Sequence, residues 1–159
     1  MAAVCYRVRG LSLEFLLVNT SAGKWTFPKG RIDPTLSGSE SAEREALEEA
    51  GARGQIESMH FGWYMDTKRA LGHESRVREI LVAAYLLDVR STAAPEESGR
   101  NPTWFTPEDA KRKLGERRAP QYSSQLASLV DAVVRRVAQA ETRRSLAETG
   151  ESRRLLLQR

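Results

Sequence analysis

At 159 residues, with a formal charge of +4 and a pI near 9.5, the chain is long enough for one domain with a real core, a size that buries about 68–70% of its unfolded surface. One cysteine, Cys5, excludes an intrachain disulfide, and no run of about 18 apolar residues or charged-then-apolar leader marks a membrane span or a secretory signal. The expectation is a soluble cytoplasmic protein, monomer or homodimer, whose positive balance favours anionic phosphorylated small molecules. Its bases are scattered among acids, which argues against a nucleic-acid stripe.

Ala2 to Val8 and Leu13 to Val18 are apolar or alternating around Arg9-Gly10, which predicts a hairpin with Cys5 as a buried thiol. A polar loop leads to Trp25-Thr26-Phe27, read as a short strand before Pro28-Lys29-Gly30. Ser37 with Glu40 three positions on forms a capping box, and Gly51 suits a left-handed helix end, so a helix is predicted between them. Gln55 to Asp66 reads as one strand with an irregularity at Gly62, and Thr67 to Glu74 as a loop. Arg76 to Val89 turns continuously apolar, as a strand in the middle of a sheet does. Ser91 to Asn101 is a surface loop and Pro102 to Phe105 a last short strand. Thr106-Pro107 starts a helix that Leu114-Gly115 ends, and Pro120 opens a longer one with Leu126, Leu129, Val130 and Val133 at helical spacing. The domain is expected to span 1–140. Residues 141–159, rich in charge until Leu155-Leu156-Leu157, are expected to form an extension.

The predicted helix after Gly30 carries the chemistry. At about 100° per residue, Glu45, Glu48 and Glu49 share an arc of roughly 100°, with Ala46, Leu47 and Ala50 opposite. Carboxylates that close repel one another unless a cation sits among them, and a hard dication with oxygen ligands, such as magnesium, supplies that charge. On the helix alone, a solvated amphipathic face is the simpler reading.

The spacing of the whole stretch tips the balance. Gly30, Arg44-Glu45, Glu48-Glu49 and Gly51 resemble the Nudix box, G-x5-E-x7-R-E-U-x-E-E-x-G-U with U a bulky aliphatic, matching six of its seven fixed letters. Leu36 stands where the family has its first glutamate, and Ala46 and Ala52 are small where it prefers bulk. Trp25 to Pro34, and Pro102 to Ala110, resemble enzymes acting on diadenosine polyphosphates and diphosphoinositol polyphosphates. The resemblance implies an α/β (α+β) fold, an α/β/α sandwich with a mixed sheet and a loop-helix-loop motif. It also implies metal-dependent hydrolysis of a pyrophosphate in a nucleoside diphosphate linked to another moiety, with Mg2+, or Mn2+ in its place, held by Glu45, Glu48, Glu49 and the Gly30 carbonyl. Arg44 belongs to the same motif.

Lys29 and Arg31 flank Gly30 and would neutralise phosphate oxygens, with Lys68 and Arg69 beyond them and Arg76 and Arg78 in the next strand. Glu79 and the Glu96-Glu97 pair are the acids outside the helix from which a further ligand or base would come. Without an acid at position 36, Arg44 is expected to pair with Glu40 or Glu48, and Leu36 to pack on apolar surface. His60 is expected to pack beside the sheet and His73 to sit solvated in a loop. Trp25, Trp63, Tyr64, Trp104 and Phe105 are read as core before base-stacking groups. A diadenosine polyphosphate is the first expected substrate, ahead of a diphosphoinositol polyphosphate, with ADP-ribose or a nucleoside triphosphate next. Leu36 keeps open a nucleotide-binding module without turnover.

Overall fold

The computed structural model describes residues 1–69 and 77–156, apart from the side chains of 69 and 148–156. His73 and Arg76, and the side chains of Arg69 and Leu155 to Leu157, lie outside that description.

The expected hairpin forms from β1 (Ala2–Arg9) and β2 (Ser12–Asn19), joined through Gly10 at φ +62°, a left-handed backbone that glycine adopts at no steric cost. Beyond β2 lies β3 (Trp25–Thr26), and α1 (Gly38–Ala50) follows the loop after it. The apolar run is β6 (Val77–Thr92), and it is the middle of the sheet. One edge pairs in parallel with β1; the other pairs antiparallel with both β4 (Ala52–Ile56) and β5 (Gly62–Arg69). The short strand β7 (Thr103–Phe105) pairs with β2, completing seven strands among the described residues.

Residues 55–66 are therefore two strands rather than one. Ile56 lies opposite Leu87 and Gly62 opposite Ala84, so the chain spends twice as many residues as its partner there. Glu57 and Phe61 still donate their amides to Leu86 and Ala84, and residues 58–60 leave the ladder between them. The irregularity expected at Gly62 is this excursion, and a register shift sits at Arg53/Gly54. The loop expected from Thr67 begins instead as the end of β5, and β6 runs on through Thr92.

Helix α2 (Pro107–Gly115) starts as expected, with the Thr106 side chain accepting from the Asp109 amide, and α3 runs from Pro120 to Leu156. These two helices cover one face of the sheet, Leu126 and Val130 of α3 packing in one bulky layer with Phe15, Phe27, Tyr64 and Leu86. Helix α1 covers the other face with small residues of its own, Ala42, Ala46 and Ala50, against sheet residues both small (Ala3, Cys5, Ala83) and large (Leu16, Val18, Leu87). The result is the expected α/β/α sandwich. On its outer side, β5 is met by α3, where the Met65 amide donates to the Gln125 side-chain oxygen at 2.6 Å.

Candidate active site

Both ends of α1 are built as the residues require. Ser37 and Glu40 satisfy each other's backbone amides, and Gly51 turns left-handed at φ 63° while its amide returns to Ala46 and Leu47. Between these caps the helix presents Glu45 and Glu48 half-buried. Glu49, at 3% exposure, belongs to the buried side with Ala42, Ala46 and Ala50; Leu47 is only partly buried. The clean division into an acid and an apolar face is thus corrected: the acid arc overlaps the packed one.

The Glu45 carboxylate lies against Gly30, in the space a Cβ would take, so a side chain at position 30 would displace that carboxylate. The Gly30 carbonyl accepts from the α-amino group of Met1 at 3.1 Å. Burial raises the Glu45 carboxyl above its ordinary value, and Glu48 and Glu97 push it further. Burial also pushes Glu49 up to about 7, against the pull of Arg100 and of the Lys29 amide. Both Glu49 oxygens are engaged: one accepts from Lys29 N at 3.1 Å, the other pairs with Arg100 Nη2 at 2.7 Å.

Arg44 pairs chiefly with Asp33, at 2.7 Å, a partner the spacing rule did not suggest. Its Nε also lies 3.5 Å from Glu48, an ion pair without hydrogen-bond geometry, while Glu40 is occupied by the cap. Asp33 additionally accepts from the amide and hydroxyl of Thr35, and these bonds, followed by Arg44, hold its carboxyl well below the usual range. Asp33 therefore supplies the carboxylate for Arg44 that Leu36 cannot. Leu36 itself is partly buried and donates its amide to Asp33.

The family model of the NUDIX domain matches residues 1–126. The chain belongs to the Nudix family. Relatives include Nudix hydrolase 4 of Arabidopsis thaliana, 31% identical over 100 residues, 62% of this chain and 46% of that one. Another is the bis(5'-nucleosyl)-tetraphosphatase [asymmetrical] of Rattus norvegicus, 34% identical over 86 residues, 53% of this chain and 56% of the relative. The chain spans about half the length of the curated relatives it matches. Among solved structures, a C. elegans Ap4A hydrolase binary complex superposes with TM-score 0.61 at 24% identity, over 87% of this chain and 96% of that one. The NUDIX domain of Shewanella oneidensis NrtR complexed with ADP ribose gives 0.58 at 19%, over 86% and 85%. At these identities the likeness is one of fold.

Nudix hydrolases generally use divalent metal ions. The donor chemistry of this Nudix helix fits one: oxygen donors only, two of the carboxyls with raised pKa values, and the Glu45 carboxylate seated directly against Gly30. Yet no three His, Cys, Asp or Glu side chains among the described residues are gathered around one point. The positive charge among the acids comes instead from Arg100 and Arg44.

Of the other predicted residues, Lys29 is tied to buried Asp66 at 3.0 Å, and Lys24 stands 3.8 Å from the same carboxylate. Burial pushes the Asp66 carboxyl up, but the charge and hydrogen bond of Lys29, the Thr67 amide and Arg118 together hold it below its ordinary value. Lys29, Gly30, Arg31 and Lys68 line a cleft of about 320 Å³, whose apolar wall includes the exposed side chains of Ile32 and Leu81. Of the outlying acids, Glu97 reaches α1, its amide donating to the Glu48 carbonyl at 2.9 Å. Glu79 instead accepts from the Tyr122 hydroxyl. His60 packs edge-on to Trp63 as expected, and Trp25 meets Phe105 edge-on at 5.0 Å, but Trp63 is exposed. Sequence reasoning missed Asp33 as the partner of Arg44, and it missed Arg100 altogether. No short-range spacing marks Arg100; only its place in a loop already suspected for Glu97 points to it.

Proposed function

We propose that this chain is a metal-dependent hydrolase of the pyrophosphate bond in a nucleoside diphosphate linked to another moiety. A dinucleoside polyphosphate is preferred, ahead of a diphosphoinositol polyphosphate. The carrying observation is the adjacency, across Gly30, of the acid helix and the basic cleft: Glu45 lies against the glycine whose neighbours Lys29 and Arg31 line the cleft with Lys68. The name of the rat relative supports the same substrate class.

Glu45, Glu48, Glu49 and the Gly30 carbonyl would hold the ion, Mg2+ with Mn2+ as the alternative. A dication there would neutralise phosphate charge and acidify a water. The chain's own groups do the rest. Glu45, with its raised carboxyl, or Glu97 beyond it, takes the proton from the attacking water. Lys29, steadied by Asp66, and exposed Arg31 and Lys68 receive phosphate oxygens along the cleft. Arg69 would extend this row. Arg44, held between Asp33 and Glu48, orients the helix acids. Asp33 takes over the position that Leu36 vacates, which favours turnover over a bare binding module.

The domain proper would end near 140, with 141–159 as an extension on α3, in a cytoplasmic monomer or homodimer. The test is the order of kcat/KM at fixed magnesium and salt across dinucleoside polyphosphates, diphosphoinositol polyphosphates, ADP-ribose, nucleotide sugars and nucleoside triphosphates. A polyphosphate should lead. A tenfold advantage for ADP-ribose or a nucleotide sugar, about 1.4 kcal/mol in transition-state binding, would overturn the substrate class and leave the family untouched.

A further inference from the structure

The loop after β6 is pinned along α1 at successive points. Ala93 donates its amide to the Gly51 carbonyl and Glu97 to that of Glu48, each at 2.9 Å. Arg100 is fixed from both sides, since its carbonyl accepts from the Asn19 amide at 2.6 Å and Asn101 takes the left-handed φ of 48°. Its guanidinium is then delivered to the acid helix. Nη2 meets Glu49 and Nε meets Glu97, each at 2.7 Å, with the side chain about a quarter exposed. A planar fork is suited to spanning two carboxylates in this way.

We propose that Arg100 is a built-in counter-cation of the acid helix: it neutralises Glu49 in the metal-free protein and competes with a dication for that carboxylate. This rests on the metal site proposed above. The two Glu49 oxygens already accept from Arg100 and from the Lys29 amide. An ion on the oxygen that Arg100 holds would bring two positive centres within a few ångströms in a partly buried site, where like charges repel strongly. Arg100 must therefore withdraw toward Glu97 as the ion enters. Guanidinium and ion are coupled through one carboxylate, and the coupling is reciprocal.

The experiment uses the full chain, Mn2+ alone as probe, and two readouts that need no substrate: Tm with EDTA or with saturating Mn2+, and Mn2+ affinity by calorimetry. Arg100→Gln should lower Tm in EDTA by about 5 °C or more, because it strands a buried carboxylate. Saturating Mn2+ should close most of that gap. The same variant should bind Mn2+ about fivefold tighter or more, within the usual range of such couplings. Arg100→Lys keeps the charge, should fold, and should bind Mn2+ close to the wild-type affinity.

Weaker Mn2+ binding by Arg100→Gln would make Arg100 a positioning group and overturn the proposal. So would an equal Tm loss with and without Mn2+, or an Arg100→Lys variant that tightens as much as the glutamine. If Arg100→Gln does not fold, Arg100→Met, which also removes the charge, is held to the same criteria: tighter Mn2+ binding upholds the proposal, and unchanged or weaker binding overturns it. A wild-type chain that binds no Mn2+ would overturn the metal site and this inference together. Normal wild-type binding, unchanged in Arg100→Gln, would overturn only the inference.

Discussion

The two faces of the sheet are packed by different means. On the α2–α3 face, Phe15, Phe27, Tyr64 and Leu126 fill a deep layer, and on the α1 face the helix contributes alanines, Ala42, Ala46 and Ala50, to a sheet surface that includes Leu16, Val18 and Leu87. The bulky face stores stability. The α1 face uses closeness to position a helix, so that Glu45 reaches Gly30 and Glu49 reaches the amide of Lys29. Alanines at 46 and 52, where the family prefers bulk, are thus part of how this chain seats its acids.

Four substitutions would break or sharpen that contrast. Phe27→Ala, at a fully buried site of the bulky layer, should cost about 3–5 kcal/mol in chemical denaturation. Glu48→Gln on the opposite helix should leave the melting curve intact or raise it in EDTA, because it relieves repulsion among the acids, yet cut kcat about a hundredfold, or about 2.7 kcal/mol. A well-folded Glu48→Gln with full magnesium-dependent turnover would remove the functional half of the comparison. Ala46→Leu restores family-like bulk but overfills the thin layer, and should cost about 1–3 kcal/mol with a measurable fall in kcat as α1 moves outward; unchanged stability and rate would mean that the closeness is incidental.

The smallest effect is expected at Asp66. Its carboxyl sits below the ordinary 3.8 in the folded chain, so its contribution is present above that pH and is lost as the pH falls below it. Asp66→Asn should flatten the acid limb of the stability curve below about pH 4 and raise KM more than it lowers kcat, because Lys29 loses its anchor. An unchanged acid limb would show that Lys29 is held by other means.

The elements with local signals were legible in the sequence: the capping box at Ser37, the left-handed Gly51, the Thr106-Pro107 start and the apolar β6 all announce themselves within a few residues. Features that depend on topology were not. Arg100 reaches Glu49 only because the loop after β6 folds back along α1, and Asp33 meets Arg44 only because the loop before the helix curls under it. Likewise 55–66 reads as one strand because both halves have strand composition; only the ladder along β6 shows that 58–60 step out of it. The burial of Glu49 was hidden for a related reason, since a helical period gives the width of a face and not where the neighbouring sheet will cut it.

The Met65–Gln125 bond bears on how molecules of this protein avoid one another. A strand paired on one side offers its remaining amides to any extended segment that drifts past, which is how sheets recruit further chains and grow into aggregates. Among the described residues, Gln125 on α3 occupies the Met65 amide and the Asp66 carboxylate that of Thr67, so an incoming strand would meet two amides of β5 already engaged from within the chain.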